Sequence, residues 1–253
     1  MASEKVRKVR RLLKWAALLV PILAVGAVAA FAASYPAVVA AACPRCYGFE
    51  PVGDRVYVGN DMTAEERRRL GENLASARET VAAALGPTEA RPFVFACSTD
   101  GCDRRVGGRG REGAAAEAQN TPWFGVVRFG PRGIDETVLA HELAHVTLHE
   151  VVGAWPVMDG RFPAWLNEGV AVIVSNDARY LRPGETADER CLVEPDGPLP
   201  ESPFEWAPAS GLDRSLYARA ACASLRWLEA NGGAPGLLAA LRRVAETGEA
   251  VAR

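Results

Sequence analysis

All three histidines of this 253-residue chain fall within one short segment, at His141, His145 and His149. The local sequence is His141-Glu142-Leu143-Ala144-His145. Two histidines four apart share a face only if the backbone is helical, and on that face their ring nitrogens can converge on one ion. The spacing therefore predicts a helix. Asp135 is placed to cap it, Glu136 stands in its first turn, and it runs to about Val152. Glu142 is rotated toward the open side of such an ion. There a carboxylate can take a proton from water and pass it to a leaving amine.

A catalytic zinc needs a third protein ligand and an open fourth position. His149 lies on the same stripe but a further turn along, about 6 Å beyond His145. It reads as a solvated or hydrogen-bonded histidine. Val151 occupies the position where another zinc arrangement carries a histidine. Glu168 is the better candidate. It follows Trp165 and Leu166 and precedes the apolar run Val170 to Val174, in a predicted helix over about 163–175. That helix should be mostly buried, and a buried carboxylate needs a partner, which a metal can be.

His141-Glu142-x-x-His145 followed by Trp165-Leu166-Asn167-Glu168-Gly169 resembles the gluzincin metallopeptidases of the peptidase MA clan, and the WLNEG form is most similar to their aminopeptidase-type branch. The likeness covers about residues 122–245. It implies that His141, His145 and Glu168 bind Zn2+ and that Glu142 is the general base. It also implies that the strand Phe124–Phe129 is the edge that pairs with an extended substrate, and that a tyrosine stabilises the oxyanion. Tyr217 is the first candidate for that tyrosine and Tyr180 the second; core packing with a bonded hydroxyl is the plainer reading of each. The aminopeptidases hold the substrate amine with a Gly-x-Met-Glu-Asn segment, and here Gly71-Glu72-Asn73 lacks it and falls in a predicted helix.

Charge is unevenly spread. The chain has 29 Lys and Arg against 31 Asp and Glu, but Lys5, Arg7, Lys8, Arg10, Arg11 and Lys14 face Glu4 alone in residues 1–14. Without that block the rest carries 23 bases and 30 acids, and a mildly acidic body argues against a nucleic-acid partner. Trp15 to Ala33 then contains no charged residue. A basic block before such a run is an export pattern, read as a transmembrane signal-anchor on its length or as a cleaved signal on its small-x-small sites. Six cysteines fit an oxidising compartment. Proximity in sequence proposes Cys43–Cys46, Cys97–Cys102 and Cys191–Cys222. Cys43-Pro44-Arg45-Cys46 reads as a structural bridge or as a redox pair.

Periodicity and turn signals place further elements. Residues 34–50 read as a linker and 51–253 as one domain. Strands are expected at Val52–Val58, Arg91–Cys97 and Pro122–Phe129, with a helix from Asp61 to Leu85 opened by the capping box Thr63–Glu66. Ser98–Asn120, rich in Gly, Arg and Ala, and Asn176–Gly211, with its many prolines, read as loops. Two helices close the chain, near 212–230 and 235–247. Arg128 and Arg132 are candidates to hold a substrate carboxylate. Arg104, Arg105, Arg109 and Arg111 form a basic loop, and Trp206 and Trp227 are expected to pack.

Together these readings give an α+β fold: a small zincin-like domain with a short N-terminal sheet, the histidine helix and C-terminal helices, behind an N-terminal transmembrane helix. The expected function is a membrane-tethered extracytoplasmic zinc peptidase acting on a peptide or protein. The alternatives are a non-catalytic exported zinc-binding domain, a hydrolase of another amide, and a disulfide-exchange protein working through Cys43 and Cys46.

Overall fold

The computed structural model describes residues 2–108, 116–120 and 124–252, and only the backbone of 2–14, 16, 18 and 116–120. In chain order come α1 (Ala2–Ser34), α2 (Pro36–Ala40), a single 3-10 turn (Pro44–Tyr47), β1 (Phe49–Gly53), β2 (Val56–Gly59), α3 (Ala64–Leu85), β3 (Phe93–Ala96), α4 (Asp100–Arg105), β4 (Ala116–Asn120) and β5 (Gly125–Phe129). Then follow α5 (Glu136–Val152), α6 (Ala154–Met158), α7 (Ala164–Val174), α8 (Ala187–Arg190), α9 (Pro203–Leu212), α10 (Ser215–Ala230) and α11 (Gly233–Thr247). The fold is α+β, as expected.

The strands form one sheet in the order β1-β2-β3-β5-β4. The inner three run parallel, and β1 and β4 are antiparallel to their neighbours. Inner strands of this kind are covered on both faces, which explains their nearly continuous apolar sequence. Alternation divides the side chains. Val94, Ala96, Val127 and Phe129 join the main core with α3, α5 and α7. Phe95, Val126 and the buried Phe49 pack on the other face against Ala37, Val38 and Ala40 of α2. Residues 34–50, read as a linker, therefore contain helix and strand that cover the sheet.

Arg128 also points to that second face. It is 3% exposed and pairs with the equally buried Asp103 of α4. The Cys97–Cys102 bridge ties α4 to the end of β3. All three disulfides pair as sequence proximity proposed.

Several boundaries differ from the sequence reading, each for a physical reason. The single strand at Val52–Val58 is a hairpin. Arg55 turns the chain with φ of 56°, and its guanidinium lies over the Phe93 ring at 5.0 Å and donates to Arg91 O. The segment 98–120 contains α4, capped by Thr99, and β4, whose pairing comes from β5 rather than from its own composition. The segment 176–211 contains α8 and α9, each opened by a capping box. The start of the strand expected at Pro122, together with Arg109 and Arg111, lies outside the described residues.

The expected membrane-anchored location is corrected. The proposed span falls on α1, which has Pro21 within it. Among the described residues no helix is long and apolar enough to cross a membrane. The three disulfides are consistent with an extracellular protein.

The Arg128–Asp103 pair gives a stability prediction. Asp103→Ala removes the carboxylate that faces the buried Arg128 guanidinium and should cost about 3–5 kcal/mol in urea unfolding. The double variant Asp103→Leu/Arg128→Met, which removes both charges, should recover most of that loss.

Candidate metal centre

Helix α5 is apolar almost all round, with Leu139, Ala140, Leu143, Ala144, Val146, Leu148 and Val152 buried. A helix of that kind runs through the interior. Asp135 caps it by accepting from Thr137 N at 3.0 Å. Helix α7 is equally buried and lies between α5 and α10. Gly169 sets the approach of α7 to α10, because a Cβ there would overlap Ala220 O and Ser224 Oγ. The glycine of the WLNEG segment is thus a packing requirement, and it seats α7 with Glu168 facing α5.

The result is a triangle of donor atoms. His141 Nε2 and His145 Nε2 are 3.1 Å apart. Glu168 Oε2 is 3.5 Å from the first and 3.6 Å from the second. Three ligands at 2.0–2.2 Å around a tetrahedral ion lie about 3.3–3.5 Å from one another. The cluster can therefore hold a metal ion with little movement.

Asn167 is the residue whose role sequence reasoning missed. It is 6% exposed, and its Oδ1 lies 3.0 Å from His145 Nδ1 and 3.2 Å from His149 Nε2. An amide oxygen only accepts, so both ring nitrogens donate to it. With one proton held on Nδ1 by Asn167, His145 directs Nε2 to the triangle, and in its neutral form that nitrogen is the one free to bind an ion. The available signal was a polar residue amid apolar neighbours in a buried helix. His149 is spent on this bond and stays out of the triangle, in line with the helical rise.

Electrostatics supports a cation at the centre. Burial pushes the Glu168 carboxyl up, but the adjacent His145 and His141 override it and hold the group well below the usual carboxylate range. Burial alone would lower His145, yet the Glu168 charge pushes it up to about 9. His149 is pushed down to about 3 by burial and by His145, and stays neutral. The half-buried carboxylate thus draws positive charge to the imidazole of His145. Glu142 is half-buried, and its charge adds to the upward push on His145.

Tyr217 of α10 reaches the same place, its ring centroid 6.4 Å from that of His141. Burial and then the Glu168 charge raise its hydroxyl above the ordinary tyrosine range, so it keeps its proton. Tyr180 stacks behind it at 5.1 Å, and Trp206 meets it edge-on at 5.1 Å. Trp206 and Trp227 are both buried, as expected.

Two expectations about the cleft are corrected. Arg128 is committed to Asp103 in the interior and cannot meet a substrate carboxylate. The strand Phe124–Phe129 is not an edge, since β5 has β3 on one side and β4 on the other. On that side of the sheet the edge strand is β4, folded from a segment whose composition hid it. The chain matches no protein-family model, no curated protein and no solved structure.

The triangle predicts one divalent ion per chain, measured by elemental analysis and calorimetry with added Zn2+ or Co2+. His141→Ala and Glu168→Ala should abolish that stoichiometry. Asn167→Ala should weaken binding about 10–100-fold, whereas His149→Gln should keep the full ion content.

Proposed function

We propose that this protein is a gluzincin-type zinc metallopeptidase, cleaving peptide bonds in a peptide or protein. One observation carries the reading: His141, His145 and Glu168 converge from two helices, with Glu142 one residue along from the first ligand. Two imidazoles and a carboxylate form a donor set suited to zinc, with a position left for water or substrate. A bound zinc ion would supply a Lewis acid that makes water acidic near neutral pH and polarises a carbonyl.

The chain's own residues do the rest. His141, His145 and Glu168 would hold the ion, and Asn167 fixes a proton on His145 Nδ1 so that Nε2 faces it. Glu142 accepts a proton from the attacking water and returns it to the departing amine. The Tyr217 hydroxyl, kept protonated by its surroundings, donates to the carbonyl oxygen as negative charge gathers there. The open edge of β4 offers backbone groups to an extended substrate. Among the described residues no other strand pairs with that edge. Asn73, in the segment that lacks the aminopeptidase pattern, donates to Ile134 O at 2.9 Å.

The test uses the metal-loaded full chain and a mixed peptide library, with products read by mass spectrometry. Glu142→Gln should retain the ion and lose about 10²–10⁴ in rate. Tyr217→Phe should lower kcat about 10²–10³-fold with a smaller change in KM. Equal cleavage by wild type and Glu142→Gln, or none by the zinc-loaded wild type, would overturn the reading.

A further inference from the structure

The peptidase reading leaves the Cys43-Pro44-Arg45-Cys46 turn unused. Three bridges are present, and they differ sharply in access. Cys97 and Cys102 are completely buried, as is Cys222, and Cys191 is 5% exposed. Cys46, in contrast, lies on the surface and Cys43 is half-buried. Thiol–disulfide exchange requires a thiolate to reach a sulfur, so only this bridge is open to one in the folded chain.

The turn does not need its bridge to keep its shape. The bonded residues are three apart in sequence, so the loop closed is short and the disulfide constrains the unfolded chain least. Both flanks are anchored by burial: Ala40 is 0% and Phe49 1% exposed, in the layer that covers the sheet. Backbone bonds span the turn, from Cys43 N to Ala40 O, Cys46 N to Cys43 O and Gly48 N to Arg45 O. A reduced pair would therefore stay close enough to close again.

Basic side chains flank the turn. Arg45 stands between the cysteines and is exposed. Arg105 donates to Tyr47 O at 3.1 Å, one residue beyond Cys46. Nearby Glu50 is paired with Arg67 at 3.0 Å. Guanidinium groups beside a cysteine lower its pKa and make it a better leaving group.

We propose that Cys43–Cys46 is a thiol–disulfide exchange site, the exposed member of an otherwise inert set of bridges. A thiolate of a small thiol or of a protein dithiol attacks Cys46 Sγ. The new S–S bond forms as the Cys43–Cys46 bond breaks, and its electron pair leaves on Cys43 Sγ, which takes a proton. A second thiolate attacks the incoming partner's sulfur and releases Cys46 as a thiolate, which is protonated in turn. Two thiols are oxidised to one disulfide, and the Cys43–Cys46 pair is reduced by two electrons. The reverse sequence oxidises a dithiol at the expense of a disulfide partner.

The test uses the oxidised full chain under native conditions. Reduced glutathione is the small-thiol arm and reduced thioredoxin the protein arm. Samples are quenched with N-ethylmaleimide and mapped by peptide mass. Cys43 and Cys46 should be tagged about tenfold faster than any of the other four, with the circular dichroism spectrum unchanged. The faster arm identifies the kind of partner. Tagging of all six at one rate, or of Cys43 and Cys46 last, would overturn the proposal. As a second measurement, Cys43→Ser should form a mixed disulfide with oxidised glutathione at Cys46 faster than Cys46→Ser does at Cys43. Equal or reversed rates would also overturn it.

Discussion

A carboxylate held between two apolar helices must be matched by positive charge, and much of this molecule is arranged around that demand at Glu168. Helix α7 brings the residue into the interior because its other faces are apolar and because Gly169 lets α10 press against it. Helix α5 answers with His141 and His145. In the protein alone the answer is a proton drawn to His145, whose pKa rises although burial opposes it. The same cluster can hold a divalent ion, since the donor spacings match such an ion's ligand distances. Asn167 decides which ring nitrogen is available, and so turns an electrostatic need into a defined ligand set.

The sheet places this centre without taking part in it. Its inner strands are apolar on both faces, so one face receives α3 and α5 while the other receives α2. Helix α5 thereby gains a rigid support for the histidines. The second face has its own charge to satisfy at Arg128, and it does so through Asp103 on the disulfide-tied α4. The two buried charge clusters lie in different layers and serve different ends. One is closed, with its acid and base matched. The other can hold a metal ion.

Local signals were legible where a few neighbouring residues settle the conformation. The capping box at Thr63 and Glu66, the cap at Asp135 and the turn at Gly86 bound their helices close to where sequence reading put them. The same capping logic was present at Ser202 and Glu205 but was obscured by the surrounding prolines. Strand β4 left no comparable signal, since its partner β5 supplies the pairing. That omission also misplaced the sheet edge. Arg128 was misjudged for a related reason: charge type alone does not show whether a residue on a strand faces water or a buried acid.

Sequence by itself determined that His141, Glu142 and His145 share one stretch of helix, because helical spacing is a local property of the backbone. It also identified a carboxylate in need of a partner at Glu168, through the apolar residues on either side. Short separations of three and five residues suggested Cys43–Cys46 and Cys97–Cys102, with Cys191–Cys222 as the remaining pair. Only the tertiary structure decided that Glu168 meets the two histidines, that Asn167 orients one of them, and that Tyr217 comes within reach from α10. These depend on how α5, α7 and α10 cross, and crossing is governed by burial and close packing among residues far apart in the chain. No spacing rule along the sequence encodes it.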